Sequence, residues 1–146
     1  MTLDDYNACC RALTHTTHVV QWGGAHVWKV GGKVFAIAWD EGAAGPHVTF
    51  KVTPLSYDIL QEQPGCRPAP YLASRGMKWI QRTGPDSMDD QSLCVYIAES
   101  HRLVAAGLPK RVQKALGLNQ PDLPPNPLAA RSRRSPIQKD NRGDAP

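Results

Sequence analysis

Val27-Trp-Lys-Val-Gly-Gly-Lys-Val-Phe-Ala-Ile-Ala-Trp39 consists of two apolar runs joined by the pair Gly31-Gly32. Glycine reaches positive φ without steric cost, and a two-residue loop with positive φ at both positions matches the right-handed twist of its strands. The stretch therefore predicts a tight hairpin. Pairing Val30 with Lys33 and Trp28 with Phe35 puts Trp28, Val30, Phe35 and Ile37 on one face and Lys29 and Val34 on the other. The first face calls for a core, and the second is free to meet water.

Upstream, Thr2-x-x-Asp5 has the form of a capping box, and Leu3, Tyr6, Cys10 and Leu13 recur at helical spacing, which predicts a helix over residues 3–13. Val19-Val-Gln-Trp22 reads as a short strand ending at Gly23-Gly24. Downstream, a loop over residues 40–46 leads to a strand over 47–52, with Val48, Phe50 and Val52 on one face and His47, Thr49 and Lys51 on the other. Thr53 before Pro54 is a helix start, and Pro64 bounds that helix. The proline-rich residues 64–70 cannot continue it. A strand over 77–83 follows, read with Met77 and Trp79 inward and Lys78, Ile80 and Arg82 outward. Ser87-x-x-Asp90 resembles a second capping box, opening a long helix with Leu93, Ile97, Val104 and Leu108 along its buried stripe. Gly107-Leu-Pro109 interrupts it, and residues 110–116 form a short basic turn.

These elements assemble into an α+β two-layer sandwich, an antiparallel sheet of about five strands with helices on one face. Residues 1–117 form the domain. Residues 118–146, rich in proline and arginine and poor in large apolar side chains, read as a disordered tail. No internal repeat is visible.

Three blocks, Trp28-Lys-Val-Gly-Gly-Lys33, Pro70-Tyr-Leu72 with Trp79, and Leu108-Pro-Lys-Arg111, stand in an order and spacing that resembles the MmcQ/YjbR family, over a span from about Leu3 to Leu116. The resemblance implies a bacterial protein with a double-wing sheet and DNA binding.

Charge is compatible with that partner without demanding it. The chain carries a net +4 at pH 7, split evenly between the domain and the tail. Strand parity gathers Lys29, Lys51, Lys78 and Arg82 with Thr49 on the face away from the helices, with Lys33 at the hairpin tip, and a phosphate backbone would engage such a face. Lysines on exposed strands also serve simply to keep edges unpaired. Lys110, Arg111 and Lys114 could hold a phosphate or offset a helix dipole. No helix presents Arg, Asn and Gln in a pattern suited to base edges, so backbone contact is the mode expected. The rival reading is a protein-binding adaptor, similar in layout to secretion-chaperone domains, which would use Trp22, Trp39 or residues 64–71 and needs no basic face.

Catalytic and metal chemistry find little support. His15 and His18 sit in a threonine-rich connection without a companion carboxylate or cysteine pattern, and His101 falls on the buried side of the long helix. There is no Gly-x-Ser-x-Gly elbow and no Cys-x-x-Cys pair. The expectation is a protein that is not an enzyme and has neither cofactor nor metal. An acidic N-terminal segment and the absence of any long apolar run point to a cytoplasmic monomer with no membrane contact, in which Cys9, Cys10, Cys66 and Cys94 stay reduced.

Overall fold

The computed structural model describes residues 1–118. Its elements are α1 (Leu3–Arg11), β1 (Thr16–Gln21), β2 (Ala25–Val30), β3 (Lys33–Asp40), β4 (Pro46–Lys51), α2 (Pro54–Leu60), β5 (Cys66–Pro68), β6 (Trp79–Arg82), α3 (Asp90–Ala106) and α4 (Lys110–Leu116). The strands form one antiparallel sheet in the order β1-β2-β3-β4-β6-β5. The expected α+β sandwich is present. Its sixth strand, β5, lies in the proline-rich segment: Pro68 ends a three-residue edge strand, where a missing N–H costs no ladder bond.

Local chemistry behaves as the sequence dictates at three helix and turn positions. Thr2 and Asp5 exchange both hydrogen bonds of a capping box. Thr53 accepts from the Ser56 N–H with Pro54 in the first turn. Gly31 and Gly32 take φ of 57° and 81°, the conformation a tight hairpin turn requires. A side chain on Gly31 would also collide with Leu108, since its Cβ would fall 2.6 Å from Leu108 Cδ1. The α3 cap differs from expectation. Asp89 accepts from the Ser92 N–H, whereas Ser87 donates to the Pro64 carbonyl.

The hairpin departs from simple alternation. Val30 pairs with Lys33 and Lys29 with Val34, but Trp28 pairs with Ala36, so Phe35 is the extra residue of a β-bulge. Phe35 and Ala36 therefore both enter the helix-covered core with Trp28, Val30, Val48 and Phe50, and Ile37 is turned to the opposite face beside Ala25 and Val27. Parity on β6 is reversed too. Phe50 pairs with Ile80 and Lys51 with Trp79, so Ile80 and Arg82 face the helices. Trp79 is buried as well, on the other face, so burial alone could not reveal the error.

All four α-helices cover one face of the sheet. Tyr6 and Cys10 of α1, Leu60 of α2, and Leu93, Ile97 and Val104 of α3 meet the inward side chains there, and Leu108 closes the cluster. Leu118 joins this core at 2% exposure, so the folded part reaches one residue past the expected boundary. The rest of the expected tail lies outside the described residues. Cys9 and Cys94 correct another expectation. Packing of α1 on α3 sets their Cα atoms 5.9 Å apart, within bridging range, and they form a disulfide. Cys10 and Cys66 are free and buried.

Ser100, fully buried on α3, bridges β3 and β4 beside the bulge. Its hydroxyl donates to the Phe35 carbonyl at 2.6 Å and accepts from the Lys51 N–H at 2.8 Å. Ser100→Ala should lower the unfolding free energy by roughly 2–4 kcal/mol, because two buried main-chain groups lose their partner. Urea denaturation measures this, and a loss below about 1 kcal/mol would show that the opening tolerates the change.

Candidate nucleic-acid interface

Register decides where each expected basic residue goes. Lys29 and Lys51 lie on the face without α-helices, Lys29 opposite Val34 and Lys51 opposite Trp79. Ala36 pairs with Phe50, so the next positions, Phe35 and Lys51, are level at the same end of the sheet as the Gly31-Gly32 turn. Lys33 is exposed at that turn. Leu108 packs against Gly31, which brings the start of α4, with exposed Lys110 and Arg111, to the same corner. Five of the seven expected residues thus gather at one end of the molecule.

The other two do not join them. Lys78 lies on the helix side, its Nζ 4.7 Å from the Tyr57 ring centroid. Arg82 is buried: Nε and Nη2 both donate to the Met88 carbonyl, at 3.1 and 2.9 Å, and Nη2 also meets Asp90 Oδ1 at 2.9 Å. This arginine is a structural tie between β6 and the start of α3. Its misplacement follows directly from the reversed parity of β6.

Acidic residues collect at the far end. Asp40 pairs with Pro46 at the opposite end of β3 and β4. Asp4 borders the same cleft as Asp40, Gly42 and Pro46. Beyond Arg82, at the outgoing end of β6, come Asp86, Asp89 and Asp90. Charge is therefore separated along the strand direction, positive at the hairpin tip and negative at the opposite rim, although the domain as a whole is nearly balanced.

A further basic residue, absent from the sequence-based set, stands on the uncovered face. Arg67 of β5 pairs with Gln81, its Nε donating to Gln81 Oε1 at 2.8 Å, and Gln81 Nε2 donates to Thr49 Oγ1 at 3.3 Å. Thr49 and Gln81 are buried, so the exposed guanidinium is held by a rigid base. Recognising β5 as a strand was the signal needed, and the prolines around it concealed that.

Nε2 of His18 and Nδ1 of His26 share a hydrogen bond at 3.0 Å, and His18 stacks on Trp28. No group of three or more potential ligands occurs among the described residues. His101 Nε2–H donates to the Thr14 carbonyl at 2.8 Å, and its ring meets Phe35 edge-on. Burial holds the His101 imidazole below its ordinary value, against the opposing effect of the Thr14 hydrogen bond. Burial, then His26 and Arg11, does the same to His18. Trp28 and Trp79 are buried, and no helix among the described residues is long and apolar enough to cross a membrane.

The fold is an open antiparallel sheet backed on one side by helices, and comparison with known proteins agrees. A family model described as YjbR matches residues 11–103, so the chain belongs to the YjbR family. The chain is also similar to a Deinococcus radiodurans protein, DR2400, whose crystal structure is described as carrying the family-model domain DUF419. The two are 24% identical with a TM-score of 0.69, over 81% of this chain and 89% of that one. No curated protein matches.

Arg82→Ala should destabilise the fold by roughly 2–4 kcal/mol, whereas Lys33→Ala should stay within about 0.5 kcal/mol, since only the first removes buried hydrogen bonds. Equal costs in a denaturation series would overturn the separation of structural from surface cations. A second expectation concerns acid. A histidine whose folded pKa is depressed adds stability above its unfolded value, 6.5, and loses it as pH falls through the folded one. The thermal midpoint should therefore drop between about pH 7 and pH 5, and His101→Gln should drop less over that window.

Proposed function

We propose that this protein binds duplex DNA through the phosphate backbone, using the basic corner made by Lys33, Lys110 and Arg111 together with Lys29 and Lys51 on the adjoining sheet face. The observation that carries the reading is the separation of charge: cations at the hairpin tip, carboxylates at the opposite rim. Such a field orients the molecule as it approaches a polyanion, so the tip arrives first. Lysines on a tight, exposed hairpin can follow a groove edge without ordering a long loop. Arg67, held by Gln81, suits a phosphate better than a freely rotating side chain because its guanidinium is already fixed. Family membership supports the reading by resemblance. In this view the protein acts as a cytoplasmic monomer, without cofactor and without covalent chemistry, and the contact is insensitive to sequence.

One observation favours the adaptor reading. β1 is an edge strand with no charged residue, and Val20 within it and Trp22 just after it are 52% and 59% exposed. An extended peptide could pair there.

The test is a salt series on unrelated duplexes with the full chain and with Lys33, Lys110 and Arg111 replaced together by alanine. If about three to four phosphates are contacted, log affinity should fall against log salt with a slope near −3, and the triple variant should lose about two units of that slope. A folded triple variant with unchanged affinity and slope rules out the corner. Absence of binding by the parent chain at low salt makes the adaptor reading the better one.

A further inference from the structure

We infer that the Cys9–Cys94 disulfide is a reversible thiol–disulfide exchange site whose state sets how firmly α1 is held against the fold. Three observations carry this. First, the bond joins residues 85 apart in sequence, the C-terminal half of α1 to the opening turns of α3, so its closure removes a large part of the freedom of the unfolded chain. Second, both cysteines are only half-buried and stand in the wall of an open cleft of about 450 Å³, with Asp5, Ala8 and Gln91 around them. A thiol from outside can therefore reach a sulfur in the folded state, which a bond sealed in a core would prevent. Third, the remaining cysteines cannot compete. Cys10 and Cys66 are buried, and burial pushes the Cys10 thiol up to about 12.

What the bond controls follows from the contacts of α1. Tyr6 donates its hydroxyl to the His26 carbonyl at 2.9 Å, and Asn7 Oδ1 accepts from Trp28 Nε1 at 2.9 Å. Arg11 lies over the Trp28 ring, 5.3 Å from its centroid. α1 is thus a nine-residue clasp over β2, too short to be stable without its packing, and the disulfide secures it to α3. A dithiol is the co-reactant. One reagent thiolate attacks a sulfur of the bridge and displaces the other cysteine as thiolate, giving a mixed disulfide. The reagent's second thiol then releases the first cysteine. Two electrons and two protons pass to Cys9 and Cys94, and the reagent leaves as its own disulfide.

The test uses the full chain without denaturant. After oxidation, iodoacetamide should label no cysteine. After dithiothreitol it should label Cys9 and Cys94, but neither Cys10 nor Cys66, as read by peptide mass spectrometry. The thermal midpoint should fall by roughly 10 °C on reduction, given the size of the closed loop. Cys94→Ser should match the reduced parent and ignore the reductant. A variant that fails to fold leaves the reduced parent to give the same reading. A bridge that resists excess dithiothreitol in the folded state, a bridge that never forms under oxidant, or an unchanged midpoint on reduction would each overturn the inference.

Discussion

The hydroxyl of Ser100 is the point on which the two layers are joined. Phe35 is the bulged residue between β2 and β3, and the β3–β4 ladder ends beside it at Ala36 and Phe50, leaving the Phe35 carbonyl and the Lys51 N–H to be bridged. Ser100 serves both. The bulge allows consecutive residues, Phe35 and Ala36, to enter one core, and α3 settles close because a small side chain bridges the gap. Every assignment of side to residue in β3 beyond this point depends on that one inserted residue. Without it Ile37 would crowd the helices, and Ala36 and Ala38 would leave them.

Charge is organised along the strands rather than across the sheet. An uncovered sheet face that was simply basic would carry Lys78 and Arg82, but these belong to the helix side, where Arg82 ties β6 to α3 and Lys78 lies over Tyr57. The lysines and arginine at the hairpin corner are exposed, make little demand on the fold, and sit where the turn and α4 touch. The residues that stabilise the domain and those available to a partner are thus largely separate sets. Arg67 is intermediate, exposed at its tip and anchored at its base.

The disulfide changes the view of α1. Its capping box orders the first turn, and Tyr6 and Cys10 bury its inner face, yet nine residues supply few main-chain bonds of their own. Tertiary packing and the bond to Cys94 hold it. A reading of cysteine usage from compartment alone missed this, because pairing depends on the distance between two helices that are remote in sequence.

Much was determined locally. Gly31-Gly32 specified a turn with positive φ at both positions, Thr2 and Thr53 specified helix starts, and the 3.6-residue spacing of Leu93, Ile97 and Val104 specified the buried side of α3. Each rests on the backbone or on neighbours within one or two turns, so the sequence alone suffices. What only the tertiary structure decided was parity and partnership. A strand with apolar residues at adjacent positions, such as Trp79 and Ile80, can satisfy burial on either face, and only its pairing with Phe50 and Lys51 selects one. Likewise Phe35 became a bulge, Pro68 an edge strand, Arg82 a buried tie and Cys94 half of a bridge through the partners that the fold brings to them. Alternation has a period of two, so one inserted or shifted residue reverses every side chain after it, and that shift is set by the partner strand.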